Sequence, residues 1–344
     1  MSQQSQSPAP ASGPAPGSTP GSTGGRKPVL LVSRRIPPAA EARARRDYDV
    51  RLNETDEPYD AAELLRRAEG ADAVIVTPAD KVDAATIGRL PGSVRAFATF
   101  SVGYDHVDAA ALRARGTPFV NTPDVLSEAT AELAVLLILA ACRRAGEGER
   151  LVRAGQWRGW APTMMLGSQV SGAKLGIMGM GRIGREVARM ARGFEMRIHY
   201  RDLQRLPESL VGDAVFHGDD DSFLAECEIL SLNAPGGAGT ASWLDAEKIA
   251  KLPQGAVVVN TARGTLVDDT ALIAALKSGH VAAAGLDVFA GEPDLNPGYL
   301  ALENAVLLPH LGSSPLKTRE AMGVLVLDGL DAIFAGRGPA NLVK

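Results

Sequence analysis

Little in this chain points toward disulfides, membranes or polyanions. Of its 344 residues only Cys142 and Cys227 are cysteine, too few for a disulfide framework. Both sit in apolar surroundings and read as buried free thiols of a reducing compartment. An excess of charge of one sign is also missing. The formal net charge of -4 gives no polyanion-binding signature, so nucleic acid is not an expected partner. Long hydrophobic runs are absent: the longest uncharged apolar stretch, Leu133 to Cys142, falls far short of the roughly 18 residues a membrane span needs. Residues 1–27 have no hydrophobic segment of a secretory signal and too little arginine for a transit peptide. They are mostly Ser, Pro, Gly, Ala and Gln, a composition that cannot offset its ordering entropy, and they read as a disordered tail. The expectation is a cytoplasmic protein without membrane contact.

What remains is an ordinary globular composition, 45% hydrophobic and 22% charged, long enough for two cores. Pro28–Val32, Ala73–Val76 and Ala96–Phe100 are short apolar runs that predict strands. Glu63–Glu69 predicts a helix, and Arg43–Asp47 a solvated charged stretch. Ser127–Arg144 has helical periodicity, with Ser127 as a candidate N-cap and Thr130 on an early turn. From Lys174 the pattern is doubly wound. Strands are predicted at 175–180, 196–200 and 229–232, and helices at 182–192, 243–251 and 269–277. Asp268 would cap the last helix and Gly279 would stop it. A helix-like 319–334 closes the chain and could pack back on the first part.

Gly179-Met180-Gly181-Arg182-Ile183-Gly184 follows a predicted strand and opens a predicted helix. A lone GxGxxG is weak, but this context is that of a dinucleotide loop. Gly179 suits the tight turn, Gly181 a close approach of pyrophosphate to backbone, and Gly184 tight helix–strand packing. The phosphates would meet amide donors at the helix N-terminus. Asp202, just past the next strand, suits the adenosine ribose and favours NAD. Arg201 and Arg205 flank it and could embrace a 2′-phosphate instead, so NADP stays open.

Three apolar runs then end in chemistry-bearing groups: Val257 to Gly264, with Arg263; Gly285 to Pro293, with Asp287 and Glu292; and Val306 to Gly312, with His310. As parallel strands of one sheet they would bring Arg263, Glu292 and His310 to the edge that carries the glycine loop, a constellation suited to hydride transfer. Of the other histidines, His106 lies beside Asp105 and Asp108 and suits local pairing. His199, His217 and His280 lie in or near runs with no matching polar partner.

With Ser101-Val102-Gly103-Tyr104-Asp105-His106-Val107-Asp108 added, these motifs resemble the D-isomer-specific 2-hydroxyacid dehydrogenases, near the D-glycerate dehydrogenase (glyoxylate/hydroxypyruvate reductase) group. The resemblance spans about residues 28–340. It implies an α/β fold in which a Rossmann doubly wound parallel sheet, residues 124–304, is inserted into a smaller flavodoxin-like α/β substrate domain, residues 28–123 and 305–344. It implies that Arg263 binds the substrate carboxylate and polarises the carbonyl, with the backbone amides of Val102 and Gly103 holding the other carboxylate oxygen. His310 would protonate the carbonyl oxygen, and Glu292 would orient the imidazole and support its charged form. Asp287 matches the position that orients the nicotinamide, with stabilisation of the loop as its alternative role. The cofactor wall would further include Thr130, Arg182, Ile183, Ala234, Pro235, Thr261, Ala262, His310 and Gly312. Trp157 and Trp160 resemble a pair at a homodimer interface, from which Trp160 reaches the partner's substrate pocket. The small substrate would be a 2-keto acid, hydroxypyruvate or glyoxylate.

Three relatives compete. Formate dehydrogenases carry glutamine beside the histidine, whereas this chain has Glu292. Phosphoglycerate dehydrogenases often add regulatory domains for which there is no room, and D-lactate dehydrogenases differ only in pocket shape. A dinucleotide-sensing corepressor on the same scaffold is the rival from outside enzymology.

Overall fold

The structure, a computed structural model, describes residues 26–344. The expected tail thus lies outside the described residues except for its last two, which are anchored. Arg26 pairs with Asp72 at 3.2 Å, and Lys27 Nζ donates to the Arg46 carbonyl at 2.6 Å.

Two parallel sheets organise the chain. The first comprises β1 (Val29–Val32), β2 (Asp49–Leu52), β3 (Ala73–Val76), β4 (Ala96–Thr99) and β5 (Phe119–Val120), in the order β2-β1-β3-β4-β5. That is the flavodoxin-like order. α1 (Pro38–Asp47), α2 (Ala61–Ala68), α3 (Ala84–Gly88) and α4 (Ala109–Arg115) connect the strands. Helices on both faces explain why β1, β3 and β4 are apolar and buried throughout. Asp60, Asp83 and Asp108 each cap a helix by accepting the amide three residues on. The stretch Arg43–Asp47 is not simply solvated. It is the C-terminal half of α1, whose Ala40 and Ala44 are buried, and Arg43 reaches across to Asp328 and Asp331, both at 2.7 Å.

α5 (Ser127–Cys142) and α6 (Ala145–Arg153) lead into the second sheet. Ser127 is the first helical residue rather than the cap. Asp124, at a φ of +71°, turns the chain so that the Ser127 amide bonds the Asp124 carbonyl, and no side chain caps the helix.

The second sheet comprises β6 (Lys174–Met178), β7 (Arg197–Arg201), β8 (Val215–His217), β9 (Ile229–Leu232), β10 (Ala256–Asn260), β11 (Val281–Leu286) and β12 (Ala305–Leu307). Its order, β12-β11-β10-β9-β6-β7-β8, reverses between β6 and β9, as in a Rossmann sheet. α7 (Arg182–Ala191), α8 (Glu208–Val211), α9 (Asp220–Leu224), α10 (Ala246–Lys251) and α11 (Asp269–Ser278) cross between strands. α10 starts later than expected, because Leu244 bridges to Val267 and Asp245 supplies the cap. α11 is capped by Asp268 and stopped by Gly279 at a φ of +75°.

Residues 305–307, assigned above to the smaller domain, pair with β11 and so belong to the larger sheet. The chain returns only with α12 (Leu316–Phe334), whose Val326, Leu327 and Leu330 fill the core of the first sheet. Among the described residues, no helix is long and apolar enough to cross a membrane, and no three side chains form a metal cluster. Cys142 and Cys227 are buried and unpaired.

Candidate active site

β10, β11 and β12 are adjacent and parallel, so the loops after them leave one edge of the sheet. That edge and the first sheet enclose a cleft of about 940 Å3. Asn260 ends β10 and shapes the next turn: its Oδ1 accepts from the Ala262 amide at 3.0 Å, and its Nδ2 donates to the Arg263 carbonyl at 2.8 Å. Arg263 is thereby presented to the cleft. Its Nε donates to Asp105 Oδ2 at 2.6 Å and its Nη1 to the Ala262 carbonyl at 2.7 Å. A guanidinium has five N–H donors, so three stay available.

The opposing loop, residues 101–106, is built to leave its amides free. Ser101 Oγ donates to the Gly103 carbonyl at 2.7 Å, and Asn121 Nδ2 to the Val102 carbonyl at 2.8 Å. The Val102 and Gly103 amides donate to no protein acceptor among the described residues. His106 pairs locally, its Nε2 lying 2.8 Å from Thr99 Oγ1. Burial pushes its pKa down to about 4 despite the nearby Asp105 carboxylate, so the ring is neutral at pH 7. Gly103 is required by close approach: a Cβ there would stand 1.5 Å from Arg263 Nη2. The obstructing atom is the tip of a flexible side chain, so the cost falls on the site and not on the fold. Gly103→Ala should keep its thermal midpoint while KM for the organic substrate rises at least about tenfold through the displaced guanidinium. An unchanged KM would show that the guanidinium's place beside Gly103 is immaterial.

His310 sits three residues past β12 in the left-handed region, at a φ of +56°. Such a backbone is uncommon for a non-glycine residue and persists where surrounding contacts impose it. Here Asp287 imposes it. The Asp287 carbonyl accepts from the His310 amide at 2.8 Å, and its two carboxylate oxygens accept from the amides of Leu311 and Gly312 at 2.7 and 2.9 Å. Asp287 is 1% exposed, and burial raises its pKa against those two amides. Its carboxylate therefore anchors the His310 loop, the alternative to orienting the nicotinamide. His310 Nδ1 lies 2.7 Å from Glu292 Oε2, while Glu292 Oε1 accepts from the Phe289 amide at 2.8 Å. Burial pushes the Glu292 carboxyl up, but the imidazole and the Phe289 amide outweigh it and hold the group below its ordinary value. Nε2 of His310 has no protein partner among the described residues and is left for the cleft.

The glycine loop divides its work as its spacing suggests. Gly179 has a φ of +90°, and a Cβ there would stand 2.7 Å from the Ala234 amide nitrogen. One on Gly184 would stand 2.2 Å from the Gly179 carbonyl oxygen, whereas one on Gly181 would meet nothing within 4 Å. The first and third glycines are demanded by packing, and the second fronts open space that a ligand can use. Asp202, just past β7, accepts from the amides of Met180 and Leu203 at 2.8 and 2.7 Å, which fixes its carboxylate against this loop. Arg201 is turned onto Asp220 at 3.0 Å, and Arg205 is exposed. Thr130, Arg182, Ile183, Ala234, Pro235, Thr261, Ala262 and Gly312 all line the cleft, with Arg182 paired to Asp124 at 2.5 Å. Asn233 Oδ1 and Thr261 Oγ1 are buried there without a protein partner. Two orphaned polar atoms beside an open glycine turn fit a polar, extended group such as a dinucleotide.

The family model described as "D-isomer specific 2-hydroxyacid dehydrogenase, NAD binding domain" matches residues 135–312. A glycerate dehydrogenase from Hyphomicrobium methylovorum is 42% identical over 312 residues, covering 90% of this chain and 97% of that protein. The chain belongs to the D-isomer-specific 2-hydroxyacid dehydrogenases. It is an NAD(P)-dependent oxidoreductase of small 2-keto and 2-hydroxy acids. A glyoxylate reductase from Thermococcus litoralis is 37% identical and covers 92% of this chain and 97% of that protein. Among solved structures, an NADPH-dependent glyoxylate/hydroxypyruvate reductase from Sinorhizobium meliloti superposes with a TM-score of 0.83 at 32% identity, over 92% of this chain and 97% of that one.

Not every expectation falls in the cleft of this dehydrogenase. Trp160, expected to reach the pocket of a second copy, lies outside this chain's own cleft; it is 81% exposed on the segment after α6, where Trp157 and Leu166 are exposed as well. His199, His217 and His280 are not without partners. His199 Nδ1 lies 3.0 Å from His217 Nε2, across the β7–β8 pair, and His280 bonds Gln254 and the Ile249 carbonyl. Asn233, Asp105 and Arg319 are among the cleft residues that were not assigned to the site from the sequence. Asn233 was detectable, since it follows an apolar run just as Asn260 and Asp287 do. Asp105 and Arg319 carry no such local signal, because only tertiary folding brings them to the cleft.

Proposed function

We propose that this dehydrogenase reduces hydroxypyruvate or glyoxylate to D-glycerate or glycolate, with NADH as the preferred donor. One observation carries the reading: the Arg263 guanidinium and the free amides of Val102 and Gly103 face the same cleft as the His310–Glu292 pair. The relatives named glycerate dehydrogenase and glyoxylate reductase support the choice of substrate. The domain carrying β1–β5 with α12 supplies the substrate wall, and the domain carrying β6–β12 holds the dinucleotide.

The dinucleotide, when bound, supplies the hydride. Gly179, Gly181, Arg182, Ile183 and Gly184 hold its phosphates at the α7 N-terminus. Asp202 accepts from the adenosine ribose, and Thr130, Ala234, Pro235, Thr261, Ala262, Asp287 and Gly312 form the remaining wall. Arg263 grips the substrate carboxylate and draws electron density from the adjacent carbonyl; a planar guanidinium offers two parallel hydrogen bonds where an ammonium offers one point charge. Val102 and Gly103 amides take the second carboxylate oxygen. His310 Nε2 gives its proton to the carbonyl oxygen as negative charge develops there, and Glu292 holds the ring by Nδ1. Closure of the two domains excludes water around the reacting carbon.

The working form is a cytoplasmic homodimer. Trp157, Trp160 and Leu166, each exposed on the segment between α6 and β6, supply apolar surface for a second copy, from which Trp160 would reach the partner's cleft. A panel of NADH and NADPH oxidation with glyoxylate, hydroxypyruvate, pyruvate and phosphohydroxypyruvate tests the whole reading. It should show keto-acid-dependent oxidation, with kcat/KM at least about tenfold higher for NADH because Asp202 repels a 2′-phosphate. The reverse cofactor ratio removes Asp202 from the ribose site. Absence of any turnover favours the corepressor.

A further inference from the structure

Behind the loop that follows β4, four groups are joined in a hydrogen-bond relay. Thr99 Oγ1 lies 2.8 Å from His106 Nε2 on one side and 2.8 Å from Ser101 Oγ on the other. Ser101 Oγ in turn donates to the Gly103 carbonyl at 2.7 Å. Thr99 and Ser101 are buried, so water has little access to replace these bonds. His106 does not line the cleft, although the relay that begins at its ring ends on a residue that does.

Counting hydrogens gives the relay a direction. A carbonyl only accepts, so the one hydrogen of the Ser101 hydroxyl goes to Gly103. Ser101 then has none left for Thr99, and Thr99 must donate to it. That uses the one hydrogen of Thr99, so the remaining bond can only be donated by His106 Nε2. The ring is neutral at pH 7, because burial pushes its pKa down to about 4, and a neutral imidazole carries a single N–H. Nδ1 therefore holds the lone pair. In the opposite tautomer Nε2 would accept, and would take the Thr99 hydrogen. Ser101 would then either face Thr99 with no hydrogen between the two oxygens or turn to donate to Thr99 and release Gly103.

Release of Gly103 matters because little else holds it. The Ser101 carbonyl accepts from the Thr122 amide at 2.9 Å, and the Val102 carbonyl from Asn121 Nδ2 at 2.8 Å. In a trans peptide the N–H points opposite its C=O, so these two bonds turn the Val102 and Gly103 amides the other way. Gly103 has no side chain to restrain it. The bond from Ser101 is the only hydrogen bond on its amide or carbonyl among the described residues. We propose that His106, as its Nε2–H tautomer, is a positioning residue for the substrate carboxylate: it sets the direction of the relay that holds Gly103 and so aims the free amides of the loop. The inference rests on the keto-acid reading of the site and adds a group, remote from the reacting atoms, on which the carboxylate contact depends.

The tautomer can be read directly. In two-bond 1H–15N spectra of histidine-labelled protein at pH 7, the resonances missing from His106→Gln belong to His106. They should show a protonated Nε2 and a bare Nδ1; an Nδ1–H ring overturns the relay whatever the kinetics. The role is read with NADH saturating and whichever of hydroxypyruvate and glyoxylate turns over faster. Thr99→Val keeps the side-chain shape but removes the hydroxyl, and should raise KM for the keto acid about tenfold with kcat within about twofold. Thr99→Ser restores the hydroxyl and should bring KM back to within about twofold of the wild type. His106→Leu, which removes the first donor, should match Thr99→Val. A KM unmoved in both Thr99→Val and His106→Leu overturns the positioning role. So does a fall in kcat that serine at position 99 fails to rescue, since that marks the relay as structural. If the wild type reduces neither acid, the keto-acid reading falls and the positioning role falls with it. If it reduces one and the tautomer or the KM pattern is wrong, only the His106 proposal falls.

Discussion

His310→Ala should lower kcat for keto-acid reduction by about 10³ while leaving KM for NADH within about twofold. The asymmetry follows from where the imidazole is held. Its Nδ1 is engaged by Glu292 and its backbone amide by the Asp287 carbonyl, so only Nε2 faces the cleft. Losing the ring removes the acid and leaves the glycine loop untouched. Because the acid must carry its proton, reduction should slow as pH rises and the reverse oxidation should speed up. Glu292→Gln replaces an anion by a neutral amide beside the ring, which favours the imidazolium less. Reduction by Glu292→Gln should therefore be slower than by the wild type across the neutral range, with the reverse oxidation less affected. The native carboxyl of Glu292 is held low, so it stays ionised throughout the neutral range. The stability it contributes is fully present above its unfolded pKa and is lost as pH falls through the lower folded value. Steady-state profiles in both directions check this. A Glu292→Gln profile superposable on the wild type would detach the carboxylate from the acid.

The parts of this fold that could be read in advance share one property: their signal is local. β3, β6, β9, β10 and β11 are apolar runs buried on both faces, so hydrophobicity alone marks them. The groups that end β10 and β11 follow directly, because a polar residue after a buried strand must lie at the sheet edge. Other elements gave no such mark. β2 alternates exposed and partly buried positions at the edge of its sheet, and β5 is two residues long. α1 hides its packing face in Ala40 and Ala44, small residues between charged ones. β12, by contrast, is legible from its own apolar run as a strand of the same sheet as β10 and β11, and only the domain bound at 305 misplaces it. The site divides in the same way. The spacing of Arg263, Glu292 and His310 was legible because each follows its own strand. Which of its two uses Asp287 serves was not, because that depends on the conformation of another loop. Nor was the Asp105–Arg263 contact, in which the smaller sheet's loop reaches a residue 158 positions later.

Arg263→Ala should cost on the order of 10³ in kcat/KM for the keto acid, divided between a higher KM and a lower kcat. One lost contact would not do this; the reason lies in Asp105. In the native site the guanidinium faces that carboxylate at 2.6 Å, with side chains 30% and 45% exposed, so their charges offset each other across the cleft. Removing the arginine leaves Asp105 as an uncompensated anion where the substrate must place its own carboxylate, and the two repel. The same substitution withdraws the donor that polarises the carbonyl, which is felt in kcat as well. Arg263→Lys should recover less than about tenfold of the loss, since it restores charge without the two-pronged grip. Asp105→Ala in the Arg263→Ala background separates the two causes. If repulsion contributes, the double variant should regain about tenfold in KM over Arg263→Ala while kcat stays low. A double variant no better than Arg263→Ala would assign the whole loss to the missing guanidinium. Asp105 would then be a neighbour that the substrate never feels.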